Sequence, residues 1–276
     1  MATILDGKAL AKIVKERVKQ QTDSLSATPG LAVVIVGDDG ASRVYVDNKK
    51  RDCLECGIES YEFALPADAG EEKLLDLVEE LNNRADIHGI LVQLPLPKGY
   101  CEEKVIRAIC PTKDVDAFTM PNVGRIMIGD YDFAPCTPAA VMEILAHYNI
   151  DPAGKHCVVV GRSNIVGKPM AMLLLHKHAT VSICHSRTPD LGVITRQADI
   201  LISAVGKIGL ITAGMVKPGA VVIDVAINRG ADGKLCGDVD YTAVKEVASA
   251  ITPVPGGVGP MTRAILMENT LKAIAK

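Results

Sequence analysis

The stretch His156-Cys-Val-Val-Val-Gly161-Arg-Ser-Asn-Ile-Val-Gly167-Lys-Pro169 decides the fold class of this chain. Its apolar run reads as a strand buried on both faces, as in a parallel sheet. Gly161 turns the chain, and a helix opens near Gly167, with Pro169 in the first turn, where a missing N–H costs nothing. A strand, a glycine turn and a helix in that order present free backbone N–H groups to a pyrophosphate. The glycine spacing departs from G-x-G-x-x-G, so the strand-to-helix context carries the reading rather than the bare motif.

The segments around it repeat the alternation. Downstream, Thr180–Cys184, Asp199–Ala204 and Ala220–Val225 read as strands, Gly167–His176 as a helix and Met261–Ala275 as a closing helix. Upstream, Asp6 is placed to cap an opening helix, and Leu31–Val36 is a buried strand stopped by Gly37. The run from Ser42 to Cys56 reads as a helix, Tyr61–Leu65 as a strand, Glu71–Asn82 as an amphipathic helix and His88–Gln93 as a third strand. Periodicity fades from Pro111 to Pro138, the expected domain junction, after which Thr137-Pro138 opens a helix to about Tyr148. The expected fold class is α/β, with two α/β domains, the second Rossmann-like, and a cleft between them. The expected limits are 1–135, with the closing helix 260–276 packing back onto it, and 136–259.

Composition narrows the function. The 276 residues hold 30 Lys+Arg against 33 Asp+Glu, a net charge of −3, and only 3% aromatics with no Trp. Such a chain lacks both the basic field and the stacking surfaces of a nucleic-acid binder. No apolar run reaches the ~20 residues that cross a bilayer, and the N-terminus lacks the pattern of a secretory leader, so no membrane association is expected. Eight scattered cysteines fit a reducing, cytoplasmic setting. Cys53-Leu-Glu-Cys56 has no second ligand pair at matched spacing and reads as two core thiols, so no metal is expected.

The strand Thr180–Cys184 ends in His185-Ser186-Arg187-Thr188, with no acid where an NAD site would need one for the ribose hydroxyls. A hydroxyl and a guanidinium suit a 2′-phosphate, with Arg162 as a second cation, so NADP is favoured over NAD. In the first half, Tyr45 and Lys49 stand at i,i+4 on one helix face, a spacing that by itself also fits an ordinary solvated surface. Gln93 falls at the C-terminal end of a strand, where α/β proteins place ligands, and Asp116 on an irregular segment. Together they describe a polar site for a heterocycle.

These segments resemble the bifunctional methylenetetrahydrofolate dehydrogenase/methenyltetrahydrofolate cyclohydrolase family. The resemblance spans the whole chain and rests on Tyr45-x3-Lys49, His88-Gly-Ile-Leu-Val-Gln-Leu-Pro-Leu-Pro97, Lys113-Asp-Val-Asp116, Gly161-Arg-Ser-x-Ile-Val-Gly-Lys-Pro169 and Pro253-Val-Pro-Gly-Gly-Val-Gly-Pro-Met-Thr262. It implies that residues 1–135 form a folate-binding catalytic domain and 136–259 an NADP-binding domain. It implies NADP-dependent oxidation of 5,10-methylenetetrahydrofolate, then hydrolysis of the methenyl product to 10-formyltetrahydrofolate. Lys49 would be the acid/base of hydrolysis, Tyr45 would stack near the pterin, Gln93 would support the lysine and Asp116 would bind the pterin's amino edge. Pro255, Gly256 and Gly257 would wall the folate. Gly161, Arg162, Ser163, Ser186, Arg187 and Ile227 would hold the cofactor. A homodimer is also implied. Ala117 stands where the family usually has Gly, and Asp39-Gly40 precedes Ala41-Ser42 where a Pro is common. A dehydrogenase without hydrolysis, one using NAD, or a silent folate- or nucleotide-binding protein are the competing readings.

Overall fold

The computed structural model describes residues 2–38 and 40–276; within the second helix the side chains of Ala41, Ser42, Val44 and Tyr45 lie outside the description. The elements in chain order are β1 (Thr3–Ile4), α1 (Gly7–Thr22), β2 (Gly30–Val36), α2 (Gly40–Cys56), β3 (Glu59–Leu65), α3 (Glu71–Asn83), β4 (Gly89–Val92), α4 (Glu102–Ala108), α5 (Met120–Ile128) and α6 (Cys136–His147). They continue as β5 (His156–Val160), α7 (Gly167–His176), β6 (Thr180–Cys184), α8 (Leu191–Thr195), β7 (Ile200–Ser203), β8 (Val221–Asp224), β9 (Asn228–Arg229), β10 (Leu235–Cys236), α9 (Tyr241–Val244), β11 (Ala250–Ile251) and α10 (Val258–Ala273). The alternation produces two compact α/β units. One joins the residues up to Ala11 with Thr137–Thr262; the other joins Lys12–Cys136 with Arg263–Lys276.

The unit built on Lys12–Cys136 holds a three-stranded parallel sheet in the order β3-β2-β4. All seven residues of the central β2 are buried, which is why it reads as an unbroken apolar run. On one face Ala32, Val34 and Val36 of β2 join Leu74, Val78 and Leu81 of α3 and Val105 of α4 in a single core. The apolar stripe on α3 recurs at helical spacing because only that face meets the sheet.

The other unit holds a six-stranded parallel sheet, ordered β1-β11-β8-β7-β5-β6. Strand order reverses between β6 and β7 around β5, so a crevice opens at the C-terminal end of β5, the place where doubly wound sheets bind nucleotides.

Two differences from the sequence reading have physical causes. β1 pairs Thr3 with Ala250 and Ile4 with Ile251. The first eleven residues therefore cluster with residues 137–262 rather than with the segment that follows them. A two-residue strand completed by a partner some 250 positions away leaves no periodic trace. The segment expected to be irregular contains α5, with Pro121 in its first turn and Gly129 closing it in the left-handed conformation. Both residues that read as breakers are start and stop signals. Among the described residues no helix is long and apolar enough to cross a membrane.

Candidate functional site

The helix that follows β2 carries Lys49, and the residue that follows β4 is Gln93. Lys49 Nζ donates to Gln93 Oε1 at 2.8 Å. Gln93 is locked at both ends, because its backbone N–H donates to the Val34 carbonyl at 2.8 Å and its Nε2 to the Leu94 carbonyl at 2.7 Å. The amide oxygen is thereby left to face the amine. An amide accepts equally well from an ammonium and from a neutral amine, so this contact positions Lys49 without demanding a charge. Burial pushes the Lys49 pKa below its ordinary value, against an opposing pull from the carboxylate of Asp116. Burial likewise pushes Asp116 up, with Lys49 opposing. Both groups are shifted toward neutrality, the state in which an amine can accept a proton.

Lys113-Asp-Val-Asp116 contains two carboxylates with separate duties. Asp114 is buried and accepts from the backbone N–H of Phe118 at 3.2 Å, from that of Thr119 at 2.8 Å and from Asn122 Nδ2 at 2.9 Å. Those bonds hold the turn after it. Asp116 is half-buried, with the Cys136 thiol beside it and the charge of Lys49 acting on it. Ala117 next to it has φ 56, the left-handed conformation that glycine adopts at no steric cost. Tyr45 lies on α2 one turn before Lys49, and its side chain is outside the described residues. Cys53 and Cys56 are buried free thiols, each pushed up to about 12 by burial, which keeps them protonated and inert.

In the other unit Gly161 ends β5 with φ +130, and a Cβ there would meet the Ala204 carbonyl oxygen at 2.5 Å. A Cβ on Gly167 would lie 2.2 Å from the Gly161 oxygen. The two glycines thus let the turn and the start of α7 close onto the end of β7. Ser163 Oγ accepts from the backbone N–H of Val166 at 3.1 Å and of Gly167 at 3.3 Å, which shapes this turn. The Gly161 N–H donates to the Cys184 carbonyl at 2.8 Å, so the loop carrying Arg162 and Ser163 and the loop carrying Ser186 and Arg187 leave neighbouring strand ends. All four of those residues are exposed, and no acid stands between Cys184 and Thr188. Ile227 follows β8 at the same edge of the sheet and is 42% exposed, an apolar side chain in a position where a soluble surface gains nothing from it.

The loop containing Pro255, Gly256 and Gly257 packs on the start of α1. The Lys8 N–H donates to the Gly256 carbonyl at 2.9 Å, and a Cβ on Gly7 would sit 1.9 Å from the Gly257 oxygen. Gly257 is buried while Pro255 is exposed.

Sequence reasoning missed Asp238. It is fully buried and accepts from Ser203 Oγ at 2.9 Å, Asn228 Nδ2 at 3.2 Å and the backbone N–H groups of Val205, Gly206 and Lys207 at 2.8, 3.3 and 2.6 Å. It therefore organises the loop that leaves β7 beside Gly161. The only local signal was an acid next to a glycine between short apolar runs. Its own N–H and that of Val239 donate to Asp224 at 3.1 and 2.9 Å.

Two family models match the chain: the tetrahydrofolate dehydrogenase/cyclohydrolase catalytic domain over residues 5–116, and the NAD(P)-binding domain of the same family over residues 135–276. A protein from Ruminiclostridium cellulolyticum named Bifunctional protein FolD is 60% identical over 276 residues, covering 99% of this chain and 97% of its own. The crystal structure of the bifunctional methylenetetrahydrofolate dehydrogenase/cyclohydrolase from Campylobacter jejuni is similar with a TM-score of 0.97 and 48% identity, covering 100% of this chain and 99% of that one. The Trypanosoma brucei dehydrogenase-cyclohydrolase, solved with NADP cofactor and an inhibitor, is similar with a TM-score of 0.94 and 37% identity, covering 99% and 97% of the two chains.

Proposed function

Because the chain belongs to the tetrahydrofolate dehydrogenase/cyclohydrolase family, we propose that it oxidises 5,10-methylenetetrahydrofolate to the 5,10-methenyl cation with NADP and hydrolyses that cation to 10-formyltetrahydrofolate. The observation that carries the hydrolytic half is the Lys49–Gln93 contact at 2.8 Å. NADP supplies the hydride acceptor for the first half. The turn at Gly161 fits such a group, because its glycines let the chain close onto the Ala204 backbone and pass directly from β5 into the N-terminus of α7, where free backbone N–H groups suit a pyrophosphate.

Each residue then has a task. Asp116 accepts from adjacent N–H donors on the pterin, which an acceptor-only carboxylate does well. Gln93 holds the Lys49 amine. Neutral Lys49 takes a proton from the water that adds to the methenyl carbon. The C–N bond of the neutral hydroxyl adduct then breaks, the departing nitrogen taking the proton back from the Lys49 ammonium while the hydroxyl proton is released to water, which leaves the formyl group on the other nitrogen. The cation is already electrophilic, so its hydrolysis chiefly needs a proton acceptor. Tyr45 contributes a ring against the pterin, and Pro255, Gly256 and Gly257 a wall for the folate. Hydride transfer needs orientation rather than acid/base help, so it depends little on Lys49. Gly161, Ser163 and Ile227 seat the nucleotide, while Arg162, Ser186 and Arg187 meet a 2′-phosphate, since no carboxylate is there to repel it.

In the same reading residues 1–135 with 260–276 serve the folate and 136–259 the NADP. In this reading the protein is cytoplasmic, a setting the free cysteines fit, and it forms a homodimer, as the family resemblance implies. Light scattering should give about twice the 29.2 kDa of the chain. A two-part absorbance assay tests the function: NADPH formation with methylenetetrahydrofolate, then decay of the methenyl compound. Lys49→Met should abolish the second and leave the first measurable; equal hydrolytic rates in variant and parent would overturn the assignment.

A further inference from the structure

Lys49 is not the only charged group on its stretch of α2. Asp52 stands three residues on, at a spacing that puts side chains within about 5–6 Å on one helix face. It is 3% exposed, so its carboxylate is withdrawn from water. Two cations meet it. Lys15 Nζ lies 2.8 Å from Oδ1, and Arg263 Nε lies 3.2 Å from Oδ2. The Lys15 amine is shared, since it also pairs with Glu55. Asp52 Oδ2 receives no aligned hydrogen bond among the described residues, so Arg263 balances it through charge alone.

We propose that Arg263 and Asp52 are positioning residues for the hydrolytic step, an opposed pair whose balance sets the electrostatic field at the Lys49 amine. The inference rests on the hydrolytic role of Lys49 given above. A buried carboxylate one turn from an amine would by itself hold that amine as an ammonium, which cannot take a proton from water. Arg263 cancels that field, and its own charge opposes protonation of Lys49 directly. The groups that act on Lys49 from elsewhere are Asp116 on the segment after α4, Cys136 at the start of α6 and Cys53 on α2 itself. Asp116 favours the ammonium, and both thiols are held protonated by burial. Arg263 is therefore the cation that opposes Asp116 at Lys49, and it shares Asp52 with Lys15.

The pH profile of methenyl hydrolysis tests the pair, because a midpoint does not depend on how much of a variant folds. Hydrolysis should rise with pH through the Lys49 titration. Arg263→Gln should move that midpoint up by about one pH unit, the scale of one nearby charge. Asp52→Asn should move it down, and Arg263→Lys should return it toward the parent. Opposite shifts from two halves of one ion pair are not produced by loosened packing. Midpoints unchanged in Arg263→Gln, or shifted the same way in both single variants, would overturn the proposal. If Asp52→Asn does not fold, the Arg263→Gln and Arg263→Lys pair decides alone. Lys49→Met separates the two levels: a parent that hydrolyses while Lys49→Met does not keeps the functional reading whatever Arg263 does, and a parent without hydrolysis overturns both.

Discussion

The amine of Lys49 is held by an amide, not by a carboxylate: its Nζ donates to Gln93 Oε1 at 2.8 Å. That choice of partner fixes position while leaving the proton free to come and go. Gln93→Glu keeps the shape and adds a charge at hydrogen-bond distance. The ammonium should then persist, and hydrolysis at neutral pH should fall by about 10-fold or more, the scale of a one-unit rise in pKa. The rate should recover as pH rises, and dehydrogenation should suffer less. A Gln93→Glu profile matching the parent would remove the neutral-amine argument.

Arg187 is proposed to supply a charge-assisted contact to a 2′-phosphate in the nucleotide site. Such contacts contribute about 1.5–3 kcal/mol, so Arg187→Ser should raise the KM for NADP by roughly 10–100-fold. The KM for NAD, which lacks that phosphate, should barely move. Steady-state kinetics with both nucleotides reads the ratio, and a parallel loss with NAD would place Arg187 elsewhere.

Gly161→Ala combines a φ of +130 with a Cβ placed 2.5 Å from the Ala204 carbonyl oxygen. Left-handed strain alone costs about 1–2 kcal/mol, and a backbone clash cannot relax by rotating a side chain. Denaturant unfolding should show a loss of at least ~2 kcal/mol. NADP affinity measured by fluorescence titration should fall with it.

Removing the Asp238 carboxylate leaves the donors of Ser203, Val205, Gly206, Lys207 and Asn228 without their acceptor. Each stranded buried donor costs about 1–3 kcal/mol, so Asp238→Ala should unfold easily or fail to accumulate. Asp238→Asn retains one oxygen and should lose less. Equal melting temperatures for Asp238→Ala and the parent would show that the loop after β7 does not depend on it.

Asp224 is buried, which pushes its carboxyl up to about 6 from 3.8. Its folded-state value is raised above the unfolded one, so its contribution to stability is full below pH 3.8 and is lost as pH rises through about 6. Carbon-detected NMR should show its carboxyl titrating near pH 6. A midpoint in the ordinary carboxylate range would contradict the burial argument.

Much of this was legible in the sequence, for local reasons. The run His156–Val160 into Gly161 announces a parallel strand and a nucleotide turn, because burial on both faces demands continuous apolar residues and the turn demands glycine. Asp6 as the cap of α1 was equally readable, and its Oδ1 accepts from Ala9 N–H at 2.9 Å. The family followed from motifs of adjacent residues, and the same motifs singled out Lys49, Gln93 and Asp116 as candidates. The tertiary structure decided what depends on partners distant in the chain. It separated Asp114, which holds a turn, from Asp116, which does not, although both stand in one tetrapeptide. It tied β1 to β11, gathered five donors onto Asp238 and brought Arg263 to Asp52 across 211 positions. Periodicity and capping report only what neighbours along the chain dictate. Charge balance and the satisfaction of buried polar groups are settled by whichever residues the fold brings within a few ångströms, and no spacing rule encodes that.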